Sequence, residues 1–365
     1  MAPLRLVAPL LAALALAAAG PSPSCMLNGL PCPVPVGWRA EWALINSTAI
    51  MPTGPARFEP SPAHKWGLAS LDWGVGAADW LRNGAANADC EAVSTANCAE
   101  AKRNGSIAFC SIYHNLELSL EWLESQRAVM DDAHVAAGWF LRWPNGSVYN
   151  EPTTMLGVEL RQYFTDWRNA DAARYFVGAI VQSTLNGAVD GTFTDDREGL
   201  PNEHPDVVRN CNLTDAEVAA LQFATQSAGQ YLATSLALSG KWCWDCPSGE
   251  NLLSPPSRTD PSSCAAAMRS LCAPATQGAA MFMSADGSNN TLAAFLVTRP
   301  PVAFLGGRNG DDSFSRLFAL DAGEPLGGCQ EAPEGVFSRA WSKGVAALDC
   351  NALAASLPFA LLPGF

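Results

Sequence analysis

The sequence has few basic side chains: 22 Lys and Arg stand against 35 Asp and Glu, which gives a formal net charge of −13. No block of Lys or Arg offsets this charge locally, so the chain offers little attraction to the phosphates of a nucleic acid or of an anionic membrane. A glycine-rich phosphate-binding loop after the first predicted strand is also absent, which weakens any nucleotide-binding interpretation. We therefore expect neither nucleic acid nor membrane as a partner.

The composition is that of a globular protein with a large core. Of the 365 residues, 48% are hydrophobic and 16% charged, which excludes a disordered or collagen-like chain. The length is compatible with two domains, but α/β barrels also reach this size as a single domain.

The N-terminal residues 1–20 predict a secretory signal peptide. Arg5 precedes an apolar run from Leu6 to Ala19, and small residues stand near its end. A membrane anchor is the weaker alternative, because the run is rich in Ala and shorter than the roughly 20 residues that a membrane-spanning helix needs. We expect a secreted, extracellular protein.

The cysteines and the glycosylation sequons agree with that compartment. Twelve cysteines suit an oxidising environment, and their spacing suggests local pairs: Cys25 with Cys32, Cys90 with Cys98, Cys264 with Cys272, and Cys329 with Cys350. Cys243 and Cys246 have the spacing of half a zinc site, but a disulfide is favoured because no second pair completes the ligand set. Five sequons predict N-linked glycans at Asn46, Asn104, Asn145, Asn212 and Asn289.

The pattern along the chain predicts one large α/β domain. Residues 21–62 are rich in Pro and are interpreted as an N-terminal segment stapled by cysteines. Eight short apolar runs follow as predicted strands: Trp66–Asp72, Ile107–Tyr113, Ala136–Leu141, Ala188–Thr194, Lys241–Trp244, Ala279–Ser284, Val302–Gly306 and Gly344–Asp349. Amphipathic helices are predicted between them over Leu116–Met130, Asp171–Leu185 and Ala216–Leu238. Eight such strands favour a (β/α)₈ TIM barrel over residues 63–365, with an open doubly wound sheet as the alternative.

Polar and aromatic side chains follow several predicted strands, where a barrel places its active site. These candidate substrate-binding and catalytic residues are Asp72, Trp73, Tyr113, Asn115, Trp143, Asp195, Asp196, Arg197, Glu198, Trp244, Asp245 and Asp286. Carboxylates can supply acid and base catalysis, and the flat Trp rings can stack on sugar faces. The set therefore predicts a carbohydrate cleft without a cofactor.

Asp195 and Asp196 are neighbours on one predicted strand, so their side chains are expected on opposite faces. One should enter the site while the other holds a loop or Arg197, and alternation leaves open which does so. Structural roles are the alternative, since Asp72 could cap a helix that begins at Ala77. A metal site formed by Asp195, Asp196, Glu198 and His204 is a minor alternative, because no fixed ligand spacing supports it.

Three segments resemble uncharacterised glycosyl-hydrolase-like barrel proteins, distantly akin to endo-polygalactosaminidase and α-galactosidase-type barrels. They are Val189–Asp196 (VDGTFTDD), Tyr163–Asn169 (YFTDWRN) and Val336–Asp349 (VFSRAWSKGVAALD). The resemblance implies Asp195 as nucleophile or base with Asp196 beside it, and Asp72 as a substrate-binding carboxylate. Asp166 is implied to bind substrate or to cap the next helix. No Glu ends the fifth or sixth predicted strand, which leaves Asp245 and Asp286 as candidates for the general acid.

These observations predict a secreted glycoside hydrolase-like protein that cleaves an oligo- or polysaccharide. Two alternatives remain open. One is a non-catalytic glycan-binding barrel that uses Trp73, Trp143 and Trp244, and the other is a metal-dependent secreted phosphodiesterase or lyase.

Overall fold

The computed structural model describes residues 26–27, 30–31, 36–38, 40–59, 66–196, 199–200, 204–244, 252–253, 256, 258–274, 280–307 and 316–363. The predicted signal peptide and the Cys25–Cys32 pair lie outside these residues. No helix in the described ranges has the length and hydrophobicity needed to cross a membrane.

Eight strands form one sheet in which every pairing is parallel. They are β1 (Thr48–Ile50), β2 (Trp66–Leu71), β3 (Ile107–Asn115), β4 (Gly191–Asp195), β5 (Trp242–Trp244), β6 (Leu252–Leu253), β7 (Met281–Ser284) and β8 (Ala303–Gly307). Their order is β5-β4-β3-β2-β1-β8-β7-β6, so the first strand pairs with the last. This is the strand order of a barrel, but between β5 and β6 the described residues show no pairing and the sheet is not closed. The predicted parallel α/β sheet is confirmed, whereas closure into a barrel is not.

Both faces of the sheet are covered, which explains why its strands are nearly continuous apolar runs. All six residues of β2 are buried. Alternate residues belong to two buried clusters: Leu68, Tyr113 and Phe193 to one, and Ala69 and Ile112 to the other. The side chain of Asp195 therefore shares a sheet face with that of Phe193, two residues earlier.

The Asp-Gly pair of the Val189–Asp196 motif has a structural role at the start of β4. The Asp190 carboxylate pairs with Lys102 Nζ at 2.8 Å and accepts a hydrogen bond from the Cys110 N–H at 2.9 Å. At Gly191, a Cβ atom would clash with the carbonyl oxygen of Trp242 on the neighbouring strand, so only glycine fits.

The described part of the chain contains five helices longer than eight residues: α1 (Cys90–Arg103), α2 (Ala170–Thr184), α3 (Asp215–Leu238), α4 (Pro261–Cys272) and α5 (Asn289–Thr298). Helices α2 and α3 confirm two predictions, and Thr214 caps α3 in a capping box with Glu217. Shorter helices span Ala77–Trp80, Glu124–Arg127, Asp132–Ala136 and Pro205–Asn210, and 3₁₀ turns span Leu44–Ser47, Ala85–Asn87 and Arg316–Ala319.

The predicted helix Leu116–Met130 is wrong over most of its length. Leu118–Leu120 is a strand that pairs antiparallel with Gln162–Phe164. Leucines at 116, 118 and 120 alternate with Glu117, Ser119 and Glu121, and this period of two is that of a strand. The strand belongs to a long excursion between β3 and α2, residues 116–169, which also holds the paired strands Thr153–Met155 and Val158–Leu160.

Two predicted strands do not belong to the parallel sheet. Residues Ala136–Leu141 end a helix and pass through Gly138, whose φ is +73°. Gly344–Asp349 lies in a separate antiparallel sheet with Gln330–Glu331, Val336–Trp341 and Ala354–Ser356. Only two residues join Val336–Trp341 to Gly344–Asp349, which suits a hairpin, because a parallel connection needs a dozen or more.

The parallel sheet begins before residue 63, since β1 lies inside residues 21–62, which the sequence predicts to be an N-terminal segment stapled by cysteines. A run of three residues, as in β1, is too short for its pattern to indicate a strand. The short strands Met26–Leu27 and Leu30–Pro31 also pair in this segment. The wider domain division stays a prediction.

Three disulfides differ from the predicted local pairs. The structure joins Cys98 with Cys110, Cys264 with Cys350, and Cys272 with Cys329, while Cys90 and Cys211 are free. Cys243 is also disulfide-bonded. Two of the predicted pairs place cysteines eight residues apart on one helix, α1 or α4. Eight residues span about 12 Å along a helix axis, which is too far for a disulfide.

Removing the Cys264–Cys350 disulfide by a double substitution to Ser is expected to lower the free energy of unfolding by about 2–5 kcal/mol, because the bond closes a long loop in the unfolded chain. Urea unfolding followed by circular dichroism measures this loss. The Cys90→Ser variant, which removes a thiol that forms no disulfide, is the control. An unfolding midpoint equal to that of the unchanged protein would contradict the expectation.

Candidate active site

The carboxyl ends of β2, β3 and β4 meet at one edge of the sheet and bring several predicted site residues together. In the register, Asp195 pairs with Asn115, and Phe193 pairs with Tyr113. Asp72 directly follows Leu71, which pairs with Ile112, so it lies level with Tyr113 on the next strand. Parallel strands thus place these polar side chains at the position where α/β proteins form their active sites.

Tyr113 and Asn115 connect the two aspartates that end β4. The Tyr113 hydroxyl donates to Asp195 Oδ2 at 3.2 Å. Asn115 Nδ2 donates to Tyr113 Oη at 3.0 Å and to Asp196 Oδ2 at 2.6 Å. The side-chain oxygen Oδ1 of Asn115 accepts hydrogen bonds from the backbone N–H groups of Glu117 at 2.8 Å and Leu118 at 2.6 Å, which fixes the orientation of the side-chain amide.

Both aspartates reach this network, although adjacent strand residues were expected to point to opposite faces. The reason is that Asp196 adopts a left-handed backbone conformation with φ +54°. The strand ends at Asp195, and the turn at Asp196 brings its carboxylate back toward Asn115. Non-glycine residues rarely adopt this conformation, and where they do the strain is commonly found at functional sites.

The surroundings of Asp72 raise the pKa of its carboxyl group. Burial raises the pKa of its carboxyl group, the hydrogen bond from the Gly74 N–H at 2.9 Å opposes this, and the nearby negative charge of Asp195 raises the pKa further. The alternative helix-capping role is wrong, because Gly76 occupies the N-cap of Ala77–Trp80. A carboxyl group whose pKa is raised by burial and by an acidic neighbour is a feature of general acids in enzymes.

Sequence reasoning missed Glu117, whose side chain is only 5% exposed. Its Oε2 lies 3.8 Å from His204 Nε2, which is 3.3 Å from Asp196 Oδ2. His204 Nδ1 lies 4.0 Å from Glu151 Oε2. Burial lowers the pKa of His204, but Asp196 and the other two carboxylates outweigh it and raise the pKa overall. The alternation of apolar and polar residues over 116–121 indicates a strand that would place Glu117 near the site. Because the segment was interpreted as a helix, Glu117 was not recognised as a site residue.

The minor metal hypothesis finds no support in this geometry. Within the described ranges, His, Cys, Asp and Glu side chains form no group of three or more with the arrangement needed to hold a metal ion. Glu198, one of the proposed ligands, lies outside those ranges.

The remaining predicted residues lie elsewhere or in other contacts. Trp73 packs on Trp122 with ring centroids 4.8 Å apart. Trp143 packs on Tyr149 in the excursion at 4.8 Å, and it does not follow a strand of the parallel sheet as expected. The side chains of Arg197, Glu198, Trp244 and Asp245 lie outside the described part of the chain.

Asp166 and Asp286 already have cationic partners. Asp166 accepts two hydrogen bonds of 2.8 Å from Arg168, and Asn169 rather than Asp166 caps α2. Asp286 pairs with Arg258 at 3.1 Å. Burial raises the pKa of Asp286, but hydrogen bonds from two residues at the start of α5, together with Arg258, lower it overall. A general-acid role for Asp286 stays a prediction that these contacts do not favour.

If this site is catalytic, replacing Tyr113 by Phe is expected to lower the turnover of its substrate about 10-fold without loss of folding, because it removes the hydrogen bond to the Asp195 carboxylate. Burial and then the charge of Asp195 raise the pKa of the Tyr113 phenol well above its ordinary value, so the hydroxyl stays a donor under alkaline conditions. Steady-state kinetics up to about pH 9 tests this. An unchanged turnover in the Tyr113→Phe variant would show that the hydroxyl has no part in catalysis.

No protein-family model matches the chain, and no curated protein is similar to it. Among solved structures, a GH31 family sulfoquinovosidase from E. rectale is 14% identical with a TM-score of 0.41, over 77% of this chain and 47% of that one. The α-N-acetylgalactosaminidase NagBb from Bifidobacterium bifidum is 11% identical with a TM-score of 0.41, over 87% and 58%. The glycoside hydrolase domain of PelA from Pseudomonas aeruginosa is 12% identical with a TM-score of 0.37, over 73% and 96%.

These neighbours are glycoside hydrolases at low identity. The chain spans about half the length of the first of them. Likeness at this level does not identify a substrate or a mechanism, so a function has to be argued from the site itself.

Proposed function

We propose that the protein hydrolyses glycosidic bonds of an oligo- or polysaccharide, with Asp195 as the ionised carboxylate and Asp72 as the general acid. The observation that carries the proposal is that these two carboxyl groups lie at the carboxyl ends of β4 and β2, close enough for the charge of Asp195 to raise the pKa of Asp72. Burial and then the charge of Asp195 raise the pKa of Asp72, and Tyr113 donates a hydrogen bond to Asp195. Two carboxyl groups held in different protonation states are what glycoside hydrolysis requires.

In this mechanism the Asp72 carboxyl group protonates the oxygen of the leaving sugar. Asp195 either attacks the anomeric carbon or deprotonates the water that does so. Tyr113 holds the Asp195 carboxylate in place, and Asn115 in turn donates to Tyr113 and to Asp196. The resemblance implied a substrate-binding role for Asp72, and the proposal gives it the proton-donor role that the sequence left to Asp245 or Asp286.

We also propose that the protein is secreted and glycosylated. The disulfides of the described residues are compatible with an oxidising compartment, and the asparagines of all five sequons are exposed. Removal of N-linked glycans by a glycosidase from protein secreted by eukaryotic cells is expected to raise its mobility on a denaturing gel. Unchanged mobility would mean that the sequons are unused.

The function is tested by measuring the release of reducing ends from a panel of polysaccharides and aryl glycosides, with and without a metal chelator. The proposal predicts release from at least one substrate, at the same rate in chelator. Glycan binding without release would favour the non-catalytic barrel. Activity on phosphodiesters that the chelator abolishes would favour the metal-dependent alternative.

A further inference from the structure

The residue between Tyr113 and Asn115 faces away from the site and is completely buried. His114 is 0% exposed, on the opposite face of the sheet from its two neighbours. Its Nδ1 lies 2.7 Å from Thr192 Oγ1 on β4, and its Nε2 lies 2.9 Å from Ser183 Oγ on α2. Both ring nitrogens are therefore used, and they connect β3 to two different elements.

A carboxylate on a third element completes the surroundings of this ring. Glu91 Oε1 on α1 lies 3.5 Å from His114 Nε2. Ser125 fixes Glu91 through its hydroxyl at 2.7 Å and its backbone N–H at 2.8 Å. Burial raises the pKa of Glu91, but the contacts with His114 and Ser125 outweigh it and lower the pKa overall.

The bond to Thr192 fixes how β3 and β4 are aligned. In the strand register His114 pairs with Thr194, whereas Thr192 pairs with Ile112. The His114–Thr192 bond therefore runs diagonally between the strands and resists sliding of one along the other. The Thr192 hydroxyl also donates to the Ile112 carbonyl at 3.0 Å.

Apolar side chains would fill the space between sheet and helices at lower cost, because burying polar groups and ion pairs is expensive. A fully hydrogen-bonded network fixes one geometry more strictly than apolar packing does. The geometry fixed by this one is the position of Tyr113 and Asn115 opposite Asp195 and Asp196.

We propose that His114 is a positioning residue for the active site: it holds the end of β3 so that Tyr113 and Asn115 meet the two aspartates of β4. It touches no substrate and acts through its two neighbours. This inference rests on the proposed function, because the aspartates that it aligns are those proposed to act on the glycosidic bond.

The test is a double-mutant cycle between His114→Leu and Asn115→Ala. His114→Leu introduces an apolar side chain that still fills most of the space and removes both hydrogen bonds of the ring. We expect kcat to fall about 10–100-fold with KM changed by less than about twofold, since a small misplacement of reacting groups affects the chemical step. In the Asn115→Ala background the same substitution is expected to cost less than about threefold, because the two residues act as one unit.

His134→Leu is the matched control, since it removes a histidine that pairs with Asp131 far along the excursion, and it should leave kcat unchanged. If His114→Leu does not fold, Thr192→Val keeps the histidine, removes the diagonal bond together with the hydroxyl's bond to the Ile112 carbonyl, and is expected to lower kcat in the same way. Additive effects of His114→Leu and Asn115→Ala, or an unchanged kcat in the folded variant, would overturn the proposal.

A readout independent of activity separates this inference from the proposed function. The pKa of Asp72, followed by carbon NMR, is expected to fall in the folded His114→Leu or Thr192→Val variant, because Asp195 is displaced. If the unchanged protein hydrolyses nothing, the proposed function fails, while a fall in this pKa still supports the positioning role. An Asp72 titration identical to that of the unchanged protein overturns the role.

Discussion

Asp195→Asn is expected to lower kcat/KM by at least about 10³-fold while leaving the fold and glycan binding nearly intact. The substitution keeps the shape of the side chain, and its amide oxygen can still accept the hydrogen bond from Tyr113. It removes the negatively charged carboxylate that attacks the sugar or deprotonates the water. Kinetics on the best substrate of the panel, with binding measured by calorimetry, checks both parts.

The matched control for this variant is Asp206→Asn. Asp206 lies on the short helix Pro205–Asn210, pairs with Arg209 and has a side chain that is 64% exposed. It loses the same charge outside the network of Tyr113 and Asn115, and it should keep full activity. Equal activity of Asp195→Asn and the control would remove Asp195 from the mechanism. Weaker glycan binding in Asp195→Asn, with no turnover in any form, would indicate a binding protein.

The effect of Asp72→Asn is expected to depend on the leaving group. Natural linkages and poor aryl leaving groups need a proton, so kcat/KM should fall about 10²–10⁴-fold. Activated aryl glycosides, whose leaving groups are stable anions, should be hydrolysed at a rate within about tenfold of the original. The decline of activity on the alkaline side of the pH profile should also disappear, since that decline reports deprotonation of the acid. An equal loss on all substrates would show that Asp72 only binds substrate.

The same substitution is expected to stabilise the protein near neutral pH. Because the folded pKa of Asp72 is raised, the folded state binds its proton more tightly than the unfolded state does. The contribution of this group to the free energy of unfolding is greatest at pH values below the ordinary carboxyl pKa. That contribution decreases as the pH rises from the ordinary pKa to the raised pKa of the folded state, and it stays low at higher pH. Asn has no such loss, so urea unfolding at about pH 7 should show a higher midpoint for Asp72→Asn, with the difference vanishing at about pH 3.

Strands of the parallel sheet could be predicted where the apolar run is long enough to be distinctive. The runs that became β2, β3 and β4 were recognised, and so were the polar residues at their ends. The three residues of β1 gave no such signal, because their position depends on pairing with β2 and β8 rather than on their own pattern. Gly344–Asp349 has the same local composition as a buried parallel strand, and only the two-residue turn before it indicates a hairpin.

The details of the site depended on features that a local pattern does not contain. The left-handed conformation of Asp196 is set by its surroundings, so strict alternation could not predict that both aspartates reach Asn115. Glu117 and His204 meet across more than 80 residues of chain. The role of His114 required its partners on three other elements. The same holds for the two cysteines of α4, since Cys264 and Cys272 pair with Cys350 and Cys329, 86 and 57 residues away along the chain.

The most direct test of the account is the titration of the Asp72 carboxyl group, followed by carbon NMR in selectively labelled protein and in the Asp195→Asn variant. We expect a pKa above the ordinary aspartate value in the unchanged protein, and a lower pKa once the charge of Asp195 is removed. An ordinary pKa, or one that does not respond to Asp195→Asn, would contradict the pairing of these two carboxyl groups and with it the proposed acid and base.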